Sequence, residues 1–132
     1  MYCLDTSTVI AVFRGKETAL RAKMEQMRES GANFAITTIT LCELYQGAFL
    51  SSSKEQGLAQ INAFLESVTL LLQDKMSCLL FGQDYALLKE RGMQTQEMDL
   101  MIAAICKAKN AVLVTSNVKD FRNIPKLMVE KW

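Results

Sequence analysis

Short apolar runs alternate with helical periodicities along the whole chain. Residues 1–5 read as an apolar strand ending in Asp5, and Thr6-Ser7-Thr8 offers capping hydroxyls for a helix through about Phe13, stopped at Gly15. A second helix spans Glu17 to Glu29, with Leu20, Met24 and Met27 at helical spacing and Gly31 beyond its end. Residues 33–37 form a second strand, and Thr38 can cap a helix from Ile39 to Leu50. Ser51-Ser52-Ser53 is a turn, after which Ile61, Phe64 and Leu65 resume the helical pattern. Val68 to Leu72 reads as a third, buried strand. Asp74 caps a long helix from Lys75 to Arg91 that ends at Gly92. After the polar loop Gln94-Thr95-Gln96, the segment Met98 to Lys109 is apolar almost all round. A strand over 111–115, a helical turn over 117–121 and a last strand over 127–129 complete the pattern.

Strands of this kind between helices call for a parallel sheet covered on both faces. The 132 residues suit one domain, 1–132. In such folds ligands bind beyond the carboxyl ends of the strands, where strand order reverses. The two clearest strands end at Leu4-Asp5 and at Thr115-Ser116-Asn117, so both bring polar side chains to that crevice.

The acidic residues at element ends are the candidates for chemistry. Taken alone, Asp5 reads first as a helix cap. Asp99 lies in the first turn of its helix, where the dipole favours a carboxylate. Its i+3, i+4 and i+7 neighbours Ile102, Ala103 and Cys106 are apolar and place it on a half-buried stripe. Glu43 shares a stripe with Thr40 and Gly47, opposite Leu41, Leu44, Tyr45 and Ala48, a pattern that a plain surface helix also explains. Asn117 and Asp120 each read individually as turn or cap residues.

Composition narrows what these groups can do. There is no histidine, which removes imidazole-based nucleophilic catalysis, histidine-paired ribonuclease chemistry and zinc held through imidazole. Carboxylates gathered together must protonate unless a cation neutralises them. Magnesium or manganese does so with oxygen ligands, lowers the pKa of a bound water and stabilises charge on phosphate oxygens. The net charge of +1 gives no global field for a polyanion, so any such contact must be local. Lys119, Arg122, Arg14 and the Lys89-Glu90-Arg91 helix end are the basic candidates. Cysteines 3, 42, 78 and 106 form no CxxC pair and read as buried structural thiols of a reducing compartment. The N-terminus carries Asp5 where a signal peptide stays apolar. The longest uncharged run, Ser30 to Cys42, is shorter than the ~20 residues of a membrane span. A cytoplasmic protein without a membrane anchor is expected.

Four ordered segments carry a family resemblance: Leu4-Asp5-Thr6-Ser7, Thr40-Leu-Cys-Glu43-Leu-Tyr-Gln-Gly47, Asp99-Leu-Met-Ile102-Ala-Ala104 and Leu113-Val-Thr-Ser-Asn117-Val-Lys-Asp120-Phe121. Together they span essentially the whole chain, which resembles a PIN-domain ribonuclease of the VapC type, the toxin of type II toxin–antitoxin (VapBC) systems. The resemblance implies a three-layer α/β/α sandwich with a central, mainly parallel sheet of four to five strands. It implies a divalent-metal-dependent endoribonuclease in which Asp5, Glu43, Asp99 and Asn117 hold one or two Mg2+ (or Mn2+) ions. A metal-activated water would attack single-stranded or loop RNA, leaving a 5′-phosphate and a 3′-hydroxyl. Asn117 stands where many relatives have a fourth Asp, and Asp120, one turn on, is the other candidate. Thr6, Ser7 and Thr115 look like hydroxyls that orient these ligands. The resemblance also implies a homodimer and a small VapB-like antitoxin as partner.

Other readings compete. A response-regulator-like domain wants paired acids after the first strand and a phosphoacceptor after the third, a place that Asp74 fits. A haloacid-dehalogenase-like phosphatase wants an acid where Ser7 stands. A non-cleaving PIN-like binding module and a non-toxin PIN nuclease of RNA processing share the fold expectation.

Overall fold

The computed structural model describes residues 1–132. Its strands are β1 (Tyr2–Leu4), β2 (Phe34–Thr37), β3 (Thr69–Leu71), β4 (Val112–Val114) and β5 (Val129–Glu130). The helices are α1 (Thr6–Arg14), α2 (Thr18–Glu29), α3 (Thr38–Leu50), α4 (Lys54–Leu65), α5 (Lys75–Glu90), α6 (Glu97–Ala108) and α7 (Val118–Phe121). The strands make one sheet in the order β3-β2-β1-β4-β5, and every pairing is parallel. The chain therefore winds outward through β2 and β3, then returns to the other side of β1. The strand order reverses between β1 and β4.

Alternation along the strands builds two cores. Cys3, Ala35, Leu71 and Leu113 face α5 and α6, meeting Leu88, Leu100, Ile102 and Ile105. Leu4, Phe34, Ile36 and Val114 face the other way and meet Val9, Leu20, Met24, Leu44 and Ile61 of α1 to α4. The result is the expected three-layer α/β/α sandwich. Residues 102–106 of α6 are wholly buried, as a helix that is apolar all round must be. No helix is long and apolar enough to cross a membrane.

Local signals set the element ends. Gly15 closes α1 at φ +66°, and its N–H donates to the carbonyls of Ala11 and Val12. At Gly57 an added Cβ would lie 3.3 Å from the Ala48 Cβ, so the missing side chain lets α4 lie close on α3. Asp74 and Ser77 form a reciprocal capping box at the start of α5. Trp132 stacks with Tyr2 and Phe34, which pins the C-terminus on the α1–α4 side.

Four expectations need correction. The cap of α3 is Thr37, one residue early, whose Oγ1 accepts from the Thr40 N–H at 3.0 Å and donates to Thr40 Oγ1 at 3.1 Å. Thr40 itself belongs to the buried stripe with Leu44 and Ala48, because α3 packs against α1, α4 and α6 and is not a plain surface helix. The strand β3 lies at the sheet edge, so Thr69 and Leu70 are exposed and only Leu71 is buried. Of the four cysteines, Cys3 and Cys106 are buried, but Cys42 and Cys78 are exposed. A hydrogen bond with Cys106, together with burial, pushes the Cys3 thiol well above its usual range, which keeps it a neutral space-filler.

One ion pair is enclosed in the α5–α6 packing: Lys107 Nζ donates to Asp84 Oδ2 at 2.6 Å, with both side chains nearly covered. Removing one partner leaves an uncompensated charge in a dry site. Lys107→Met is expected to lower stability by on the order of 3 kcal/mol in urea unfolding. The double variant Asp84→Leu/Lys107→Met is expected to recover most of that loss, and an equal loss in both variants would contradict this account.

Candidate active site

The carboxyl ends of β1 and β4 meet at the strand-order reversal, where the Asp5 N–H donates to the Val114 carbonyl at 2.9 Å. Asp5 occupies the N-cap position of α1, yet its carboxylate makes no capping hydrogen bond. Instead Asp5 Oδ2 accepts from Thr115 Oγ1 at 2.8 Å and from Ser7 Oγ at 3.0 Å. The residue is only 5 % exposed. The carboxylate thus caps nothing and is held in place by two hydroxyls.

The hydroxyls extend outward in a chain. Ser116 Oγ donates to Ser7 Oγ at 3.1 Å, and the Asn117 N–H donates to Thr115 Oγ1 at 3.0 Å. Thr8 Oγ1 donates to the Val114 carbonyl, which clamps α1 to β4. On the other side, Thr6 Oγ1 donates to Glu43 Oε1 at 2.7 Å and joins the first turn of α1 to α3. The three hydroxyls expected to orient the acids, Thr6, Ser7 and Thr115, therefore do touch them.

Asp99 enters from the first turn of α6. Its carboxyl is raised to about 6, first by burial and then by the charges of Asp5, Glu43 and Asp120. The helix dipole would favour ionisation here, so burial and three neighbouring carboxylates outweigh it. This places Asp99 electrostatically against the other acids. A hollow lined only by polar residues, among them Gln94, Gln96 and Glu97, holds both Asp99 and Asp120. Asn117 precedes α7, is exposed, and forms no side-chain cap. It reaches the cluster through its backbone N–H on Thr115, whereas Asp120 shares the hollow.

Sequence reasoning missed the polar wall around Asp99. Residues 94–97 read as a loop and a helix start, with no periodicity to show that they face the acids. Thr8 read only as a capping hydroxyl and Ser116 only as a polar crevice residue, because their partners, the Val114 carbonyl and Ser7, are remote in sequence. Asp74 does not serve a phosphorylation site. It follows the edge strand β3, two strands from β1, where it caps α5 and pairs with Lys109 at 2.6 Å.

The donor set is all oxygen, crowded and negatively charged, which suits a hard divalent cation. No three acidic, cysteine or histidine side chains are grouped so as to enclose an ion directly. Magnesium tolerates this, because it binds through one or two carboxylates and keeps several waters. The chemistry of these side chains is thus compatible with a divalent cation whose remaining ligands are waters.

Comparison with known proteins follows the same pattern. The PIN-domain profile matches residues 2–127. Ribonuclease VapC1 of Haemophilus influenzae (strain R2866) is 32% identical over 132 residues, covering 100% of this chain and 98% of the relative. The tRNA(fMet)-specific endonuclease VapC of Salmonella typhimurium is 31% identical over 131 residues, covering 99% and 97%. A chain in the crystal structure of VapBC2 from Rickettsia felis bound to a promoter DNA fragment superposes with a TM-score of 0.93 at 29% identity, covering 99% and 98%. One in DNA-bound VapBC from Salmonella typhimurium gives 0.91 at 31% identity, covering 99% and 97%.

The raised pKa of Asp99 has a stability consequence. Its folded value lies above the unfolded one, so ionising it costs stability as pH rises from about 4 through 6. Asp99→Asn is therefore expected to add on the order of 1 kcal/mol of stability in EDTA at pH 8 after screening, read as a higher melting temperature, and to change it little below pH 4. A variant that is destabilised at pH 8 would refute the crowding of carboxylates.

Proposed function

Because the chain belongs to the PIN-domain family and, within it, to the VapC ribonucleases, we propose that it is the toxin of a VapBC-type pair, a divalent-metal-dependent endoribonuclease acting in the cytoplasm. The observation that carries this reading is the Asp5 carboxylate at the strand-order reversal, held by Thr115 and Ser7, with Glu43 tied to the same turn of α1 through Thr6 and Asp99 in the first turn of α6. The hydroxyl contacts on Asp5 and Glu43 favour a cleaving enzyme over a non-cleaving binding module. A VapB-like antitoxin as inhibitor and a homodimer as assembly complete the reading.

Asp5, Glu43 and Asp99 would hold Mg2+ or Mn2+, with Asn117 or Asp120 adding a further oxygen. When bound, such an ion lowers the pKa of water and offsets charge on phosphate oxygens. Thr115 and Ser7 fix one oxygen of Asp5, and Thr6 fixes one of Glu43, so neither carboxylate must reorganise during reaction. One carboxyl oxygen of Asp99 would accept the proton that the attacking water gives up. The water oxygen bonds to phosphorus and the bond to the 3′ oxygen breaks, leaving a 5′-phosphate and, after protonation by solvent, a 3′-hydroxyl. The ribose 2′-hydroxyl takes no part, in keeping with a chain that has no histidine to activate it.

The purified protein is expected to cleave mixed RNA with magnesium, to stop in EDTA, and to leave 5′-phosphate ends. Asp99→Asn should lose about a hundred- to ten-thousandfold in rate while staying folded. Comparing the magnesium requirement of Asn117→Ala and Asp120→Ala identifies the further oxygen. Retained metal-dependent cleavage by Asp99→Asn would overturn the assignment. Induction in cells should arrest growth, with rescue by a co-expressed antitoxin.

A further inference from the structure

A trough leads away from the acid site between the end of α5 and the start of α6. Beside Asp99 and Asp120 its walls are polar, formed by Gln94, Thr95, Gln96 and Glu97. Further out it keeps Gln94, Thr95 and Glu97 as one rim and deepens over Tyr85, Leu88 and Leu100. Leu88 and Leu100 are almost wholly buried and make an apolar floor, whereas Tyr85 is 41% exposed. The Tyr85 ring lies 6.0 Å from Phe81, which limits its motion. Lys89 stands on the rim and takes part in neither ion pair of the protein.

An apolar floor, an exposed aromatic ring, amide and carboxylate groups along one rim and a free cation on the rim are the groups that an unpaired nucleotide engages. A base has an apolar face that stacks on aromatic rings and edges that exchange hydrogen bonds, and its backbone carries charge. The trough shares Gln94, Thr95 and Glu97 with the hollow that holds Asp99, so a nucleotide in it lies next to the acid site. We propose that this trough holds the nucleotide adjoining the cleaved phosphodiester and sets the base preference at that position, a specificity subsite that rests on the ribonuclease reading above. Tyr85 packs the base over Leu88 and Leu100, Gln94 and Thr95 read its edge, and Lys89 takes the neighbouring phosphate.

The test uses short single-stranded oligoribonucleotides that differ only at the nucleotides flanking the cleaved bond. In the full-length protein, Tyr85→Leu is expected to raise KM on the order of tenfold with kcat little changed. Gln94→Ala should flatten the preference at one flanking nucleotide. Lys89→Gln should reduce the salt slope of binding by about 0.7, whereas Lys75→Gln at the far end of α5 should leave KM and preference alone. Unchanged KM and unchanged base preference in the trough variants, with the wild type active, would overturn the subsite. So would a loss of antitoxin binding alone, which would make the trough a protein-docking groove. Oligonucleotide binding to Asp99→Asn, with and without Tyr85→Leu, separates the two readings. Weakened binding supports the trough even if the wild type cleaves nothing, and unweakened binding counts against it even if the wild type cleaves.

Discussion

The Thr115 hydroxyl, fully buried at the end of β4, is the contact on which the site depends. It donates to Asp5 across the junction of β1 and β4 and accepts the Asn117 N–H, while the Thr115 N–H donates to Glu130 next door. One residue thus ties three strands and the start of α7 together where the strand order reverses. It also holds the Asp5 carboxylate away from the helix it might have capped. A buried carboxylate without such donors would protonate or turn outward.

The same geometry sets an opposing constraint. Burial and the charges of Asp5, Glu43 and Asp120 bear on Asp99, whose pKa is raised to about 6. The sheet and α6 resist that repulsion because they are packed from both sides. The wholly buried run of α6 from Ile102 to Cys106 and the enclosed Asp84–Lys107 pair keep Asp99 where it is. Under the proposed reading, a bound cation would relieve that repulsion and give a handle on phosphate that a net charge of +1 could not supply.

Much of this was legible in the chain, because the signals are local. Gly15 and Gly92 end helices, Asp74 begins one, and the apolar runs place the strands. The differences arise where a neighbour remote in sequence decides. β3 looks like a buried strand but lies at the edge, and Thr40 looks like part of a solvent stripe but is covered by the helices beside α3. Cys42 and Cys78 stand beside Leu41 and Leu79 in sequence but are exposed in the fold. Among the site residues, Asp5, Glu43 and Asp99 stand out by position and chemistry. The wall formed by residues 94–97 could not, since loops carry no period that says which way they face.

By itself, the sequence determined the kind of chemistry open to this protein. With no histidine, an enzyme was left with carboxylates, amines, hydroxyls, thiols or a metal held by oxygen, and the alternation of strands and helices required a covered parallel sheet. Only the tertiary structure decided which groups meet. Thr6 with Glu43, Thr115 with Asp5, Asp120 with Asp99 and the trough over Leu88 all join residues from different elements. Their partnerships follow from strand order and helix packing, which local pattern does not encode.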